Sequence, residues 1–143
     1  MWDELEHSMP QGLPAYTQGG LENADDFKGI YWGGGLACLV ADVEARKRGD
    51  VTRGLEVGLR ALLEAGGNAC EVWSLSDAIA TIDRALGQPT LGPIAAEHAA
   101  HGSAFDLHAL FRDLGVSRER DGTIRLSNTA PLSAIRRAIA KEP

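Results

Sequence analysis

The chain has 143 residues, of which 44% are hydrophobic, and this is enough to bury one core. Its formal net charge of −6 argues against binding to nucleic acid or to anionic membranes. Its N-terminal sequence WDELEH is not a secretory signal, and no apolar run approaches the ~18 residues of a membrane helix. We therefore expect a soluble chain with neither nucleic acid nor a membrane as a partner, and its compartment stays open.

The first predicted boundary lies near residue 27. Residues 1–26 are interrupted by proline and glycine and show no sustained period, which indicates an irregular lead-in. From residue 27 onward we predict a helical domain that extends to residue 143. Its first helix has an apolar run with three- and four-residue steps, and it ends at Gly49. Cys38 lies within that run and is predicted to be a small buried residue.

Three further helices follow in the predicted chain order. Thr52 is the predicted cap of the second helix, which ends at Gly66. Ser74 caps the third in a capping-box-like arrangement that ends before Gly87. The fourth lies within residues 89–101, where a proline is tolerated only in the first turn.

The last third of the chain contains the one strand signal. Asp106 is the predicted cap of a helix that ends at Gly115. Asp121-Gly122 then lies between short β-tolerant flanks and predicts a hairpin within residues 116–126. Pro131 opens a final helix. The predicted fold is mainly α, a compact array of five to six helices with one small late β-hairpin. The paired arginines 136 and 137 are interpreted as a solvated face of the last helix.

Motifs for independent catalysis are weak in this sequence. Glu97, His98 and His101 share a short helix, but the H-E-x-x-H zinc motif needs histidines four residues apart with the glutamate between them. We find no nucleophile elbow and no phosphate-binding glycine loop, so the triplet Gly33 to Gly35 needs another explanation. Small residues at a helix start let another backbone approach and leave Tyr31 free to project.

The stretch YWGGGLACLVADVEARKR, residues 31–48, resembles a segment downstream of the zinc site in the glycyl aminopeptidase family, a bacterial branch of the gluzincin metallopeptidases. In that family a Y-x-K-G motif opens the first helix of a C-terminal helical domain. Tyr31, Gly34 and Asp42 match the pattern, whereas Gly33 replaces the usual lysine. The likeness continues through LEVGLRALL, the W-S-L helix, FDLHALFRDLGV and the late hairpin, and covers roughly residue 27 to the end.

The resemblance implies a role for Tyr31. In the family a zinc-bound water attacks the scissile carbonyl, and the motif tyrosine donates a hydrogen bond to the oxyanion. Tyr31 is accordingly the one candidate catalytic residue, and no residue of this chain is predicted to bind zinc or another cofactor. The zinc motif is expected upstream, in a catalytic domain of the same polypeptide that would be the partner of this chain, with a peptide as the substrate. The chain alone is not expected to be active.

Two alternatives remain open. The chain could be a non-catalytic helical interaction or scaffold domain, whose docking surface is the glycine-rich helix start together with the apolar lead-in. It could also be a small independent metalloprotein that uses His98, His101 and His108.

Overall fold

The computed structural model describes residues 27–68, 70–101 and 106–141, with the backbone alone at 27–30 and 98–101. These residues form six helices and one two-stranded antiparallel sheet, so the mainly helical prediction is confirmed. In chain order the elements are α1 Phe27–Arg48, α2 Leu55–Glu64, α3 Leu75–Leu86, α4 Leu91–His101, α5 Leu107–Leu114, β1 Val116–Arg118, β2 Ile124–Leu126 and α6 Ser133–Ile139. The predicted lead-in, 1–26, lies outside the described residues.

Helix α1 is the element around which the core assembles. Its apolar residues contribute to three buried clusters, each of which it shares with another helix. Ala41 packs with Ile94 of α4, Leu36 packs with Leu107 of α5, and Val43 packs with Leu114 and Ile135. Burial of this apolar run offsets the low helix propensity of the four glycines in the same helix.

The first helix begins earlier than the glycine-rich stretch indicates. Because α1 starts at Phe27, Gly33 to Gly35 lie inside the helix, and Tyr31 lies in its second turn. Cys38 is exposed, so the prediction that it is a buried core residue was wrong. Neighbouring atoms still shield the thiol partly from water, and this partial burial raises the pKa of the Cys38 thiol.

Helices α2 and α3 pack closely because one position in α2 has no side chain. A Cβ atom built on Gly58 would lie 2.5 Å from Ile82 Cγ2, which is inside van der Waals contact. Helix α3 in turn organises the start of α4, since the Asp83 carboxylate accepts hydrogen bonds from the backbone N–H groups of residues 90, 91 and 92 at 3.0, 2.7 and 3.0 Å. These three groups would otherwise be unsatisfied at a helix start.

Several predicted helix ends are confirmed. The Ser74 hydroxyl accepts from the Asp77 backbone N–H at 3.0 Å, and Asp106 caps α5 in the same way through Ala109. Gly87 and Gly115 end their helices in the left-handed conformation, with φ of 73° and 75°. Local sequence chemistry therefore determines these four ends.

The hairpin follows α5 after a single residue. β1 and β2 pair antiparallel with Ser117 opposite Arg125 in the register. In the turn, the Thr123 backbone N–H donates to Asp121 Oδ1 at 2.9 Å, and this bond holds the pKa of that carboxyl below its usual value. Gly122 has a φ of 87°, which a residue with a side chain rarely adopts. The predicted Asp-Gly hairpin is confirmed. Within the described ranges, no helix has the length and apolar character needed to cross a bilayer.

Candidate functional site

The Tyr31 side chain lies on the solvent side of α1. It is 70% exposed, and its ring meets the Trp32 ring edge-on, with centroids 5.9 Å apart and planes at 88°. The phenol therefore packs against one aromatic neighbour, Trp32. Most of its surface lies outside the core and is accessible to solvent or to another molecule.

The exposed side of α1 that follows this tyrosine consists of small residues. Tyr31, Gly35 and Cys38 are all exposed and recur at helical spacing, so they share one face of the helix. A Cβ atom built on Gly34 or on Gly35 would meet no described atom within 4 Å other than its chain neighbours and the nearby backbone of α1 itself. Packing among the described residues therefore does not require these two glycines. We call the surface formed by Tyr31, Gly34, Gly35 and Cys38 the glycine face.

Gly33 is in a different environment from its neighbours. It is buried, whereas Gly35 is exposed. A lysine at this position would therefore begin from a buried point of the helix, and its long side chain would have to extend to reach solvent.

Asp42, another position that matches the family pattern, has a structural role. Its Oδ1 atom accepts from the Leu55 backbone N–H at 2.6 Å, and its Oδ2 atom accepts from Arg46 Nε at 2.9 Å. Asp42 therefore caps α2 from α1.

The predicted Thr52 cap was wrong, because α2 begins at Leu55, and the Thr52 hydroxyl donates to Asp50 instead.

Arg46 completes this network and was missed by sequence reasoning. Its side chain is only 7% exposed, and it donates to the Val51 carbonyl at 2.9 Å and to Glu56 Oε2 at 2.8 Å. The other Glu56 oxygen accepts from the Gly54 backbone N–H at 2.9 Å. The i, i+4 spacing of Asp42 and Arg46 predicts an ion pair within α1. No local sequence pattern predicts that Arg46 also binds Val51 and Glu56.

The predicted solvated face of the last helix is only partly correct. Arg136 is partly buried and donates to the carbonyls of Leu114, Gly115 and Ser127 at 3.1, 3.0 and 2.9 Å, whereas Arg137 is exposed. Arg136 therefore ties α6 to the end of α5 and to the end of the hairpin.

In the part of the chain that the structure describes, no group of three or more His, Cys, Asp or Glu side chains could hold a metal ion. Glu97 and His108 are both exposed. The side chains of His98 and His101 lie outside the described set, so the independent-metalloprotein alternative remains a prediction there. Zinc content measured by plasma emission on the purified chain tests it, and substoichiometric metal would contradict it.

Comparison of the chain with models of protein families, with curated proteins and with solved structures finds no match. The functional argument therefore depends on the residues and on their geometry.

Proposed function

We propose that this chain is the C-terminal helical domain of a zinc aminopeptidase-like metallopeptidase, and that it forms one wall of the active-site cleft. The observation that carries the proposal is the placement of Tyr31, an exposed phenol on the glycine face of α1. The resemblance of residues 31–48 to the glycyl aminopeptidase segment supports it.

The chemical role proposed for Tyr31 is oxyanion stabilisation. A phenol has a reference pKa of about 10, so it is a neutral hydrogen-bond donor at pH 7. When a nucleophile adds to a peptide carbonyl, negative charge develops on the oxygen, and a donor placed beforehand lowers the energy of that state. Tyr31 would supply this donor, and it requires no proton transfer.

The described residues do not fit a zinc ion, since they contain no ligand set. In this proposal the metal belongs to an upstream domain of the same polypeptide, and the chain contributes Tyr31 and the surface around it. The gene should then encode H-E-x-x-H in frame upstream of Met1. A stop codon directly upstream, with no such motif in the reading frame, would contradict the proposal.

The glycine face would be where the upstream domain packs. Without a Cβ atom at positions 34 and 35, a neighbouring backbone can approach α1 closely. A close approach there would hold the Tyr31 hydroxyl at the shared cleft. This would explain why glycines occupy helix positions where the packing of the described residues does not require them.

The test is Tyr31→Phe in the full-length protein, because it removes the donor and keeps the ring. We expect kcat to fall by on the order of a hundredfold or more, the scale of losing one oxyanion donor. The melting temperature should hardly change, because the side chain is mostly exposed. Tyr16→Phe makes the same chemical change at the other tyrosine and should leave kcat unchanged.

The second candidate is a helical interaction domain without catalysis. It is favoured by large apolar side chains that remain exposed on and near α2 and α3: Leu59, Leu63, Val72 and Leu75. Under this alternative, Tyr31→Phe would leave turnover in an active parent protein unchanged, and that result would remove Tyr31 from the mechanism.

A further inference from the structure

A groove of about 490 Å³ lies between α5 and the hairpin. Its lining is apolar over more than half of its surface, and two arginines, a histidine and two serines supply the polar part. The lining residues are His108, Phe111, Arg112, Gly115, Val116, Ser117, Arg118 and Ser127. No Asp or Glu is among these described residues, although the whole chain has a net charge of −6.

Arg112 is held only weakly by its own partner. Its Nε atom lies 3.2 Å from Asp113 Oδ1, and the two side chains are 74% and 41% exposed. Exposed pairs of this kind contribute little to stability, because water screens them and both side chains lose freedom. A carboxylate from a ligand can therefore replace Asp113 at little cost.

Arg136 adds positive charge behind the groove. Its guanidinium donates to the carbonyl oxygens of Gly115 and Ser127, two residues that line the groove, and to the side chain of Asn128. All of its hydrogen-bond acceptors among the described residues are neutral, so they satisfy its donors without neutralising its charge. Its field at the groove is therefore not cancelled by a paired carboxylate.

Charge is also segregated along the chain. Residues 106–143 contain seven Lys or Arg and five Asp or Glu, a net charge of +2. Residues 1–105 contain seven Lys or Arg and fifteen Asp or Glu, a net charge of −8. The groove therefore lies in the cationic part of an acidic protein, and such a local field attracts anionic ligands.

We propose that this groove binds an acidic peptide segment of a partner protein, with carboxylates on Arg112 and Arg118 and an aliphatic side chain against Phe111 and Val116. The planar guanidinium fork matches a carboxylate in a bidentate arrangement. Phe111 and Val116 are half-buried, so they offer an apolar floor beside the charges. A peptide fits better than nucleic acid, because an aliphatic side chain can cover the apolar surface beside the two arginines, whereas a phosphate backbone would leave it exposed.

The test is fluorescence anisotropy with the labelled peptide Glu-Glu-Leu-Glu-Glu-Leu and the purified full chain. We expect saturable binding that Arg112→Gln combined with Arg118→Gln weakens by about tenfold or more, through loss of charge-assisted hydrogen bonds. The matched control is Arg53→Gln combined with Arg60→Gln, which removes the same charge from residues that line other cavities and should change the affinity by less than about twofold.

Any of the following outcomes would overturn the proposal: no saturable binding, equal affinity for Gln-Gln-Leu-Gln-Gln-Leu, equal weakening by the control pair, or tighter binding of a single-stranded oligothymidylate. If circular dichroism shows that the groove variant does not fold, the wild-type chain still provides the test. Binding should weaken several-fold between about 0.05 M and about 0.5 M salt, because contacts between exposed charges are screened. Binding that does not depend on salt would contradict the proposal.

Discussion

Single side chains hold the described helices together at their ends. Asp42 and Asp83 each lie on one helix and accept backbone N–H groups at the start of the next. Arg136 does the opposite and donates to carbonyls at the end of α5. Unsatisfied backbone groups at buried helix ends are costly, so each of these residues stabilises two elements at once.

The Asp42 network provides a prediction at this scale. Asp42→Ala removes the cap of α2 and one partner of the buried Arg46, so we expect the free energy of unfolding to fall by about 3 kcal/mol. Urea denaturation measures the change. The control is Lys47→Ala, which breaks an exposed ion pair with Glu44 and should cost less than about 0.5 kcal/mol. Equal losses in the two variants would show that Asp42 does not stabilise the α1–α2 junction.

At the scale of elements, α1 combines low helix propensity with heavy burial. Its glycines lie in the N-terminal half, and its buried apolar residues begin at Leu36. The helix is therefore held by packing against α4, α5 and α6, and its glycine positions can serve another purpose.

The glycine face can be tested by substitution within this helix. Gly35→Ala should stabilise the isolated chain by up to about 1 kcal/mol, because alanine has the higher helix propensity and its Cβ atom meets nothing within 4 Å. Gly58→Ala is the matched control with the opposite sign, since its Cβ atom would overlap Ile82. Thermal unfolding of both variants gives the two signs, and a Gly35→Ala variant less stable than wild type would show that the face is already packed.

At the scale of the whole molecule, the described chain contains a candidate oxyanion donor without a candidate nucleophile. A neutral phenol can stabilise developing charge but does not activate water. We therefore expect no hydrolysis of aminoacyl anilides by the isolated chain. Robust hydrolysis that a chelator abolishes would contradict this expectation and would place a complete metal site within these 143 residues.

Much of the fold could be predicted from the sequence because its signals are local. The caps at Ser74 and Asp106, the left-handed glycine after α5 and the Asp121-Gly122 turn each depend on neighbours only a few residues away. For the candidate site, the sequence predicts that Tyr31 projects freely from the start of the first helix; the side chain is exposed, but it lies in the second turn. Its catalytic role stays a prediction.

Only the tertiary structure determined the contacts between residues that are distant in the sequence. The Asp42 carboxylate caps a helix that begins thirteen residues later, and Arg136 reaches a carbonyl twenty-two residues earlier. The exposure of Cys38 likewise depends on which face of α1 the other helices cover. A local pattern specifies that an element forms and where it ends, because those interactions lie within one or two turns of chain. It does not specify which distant backbone groups a long polar side chain will satisfy, because that choice exists only after the helices have packed.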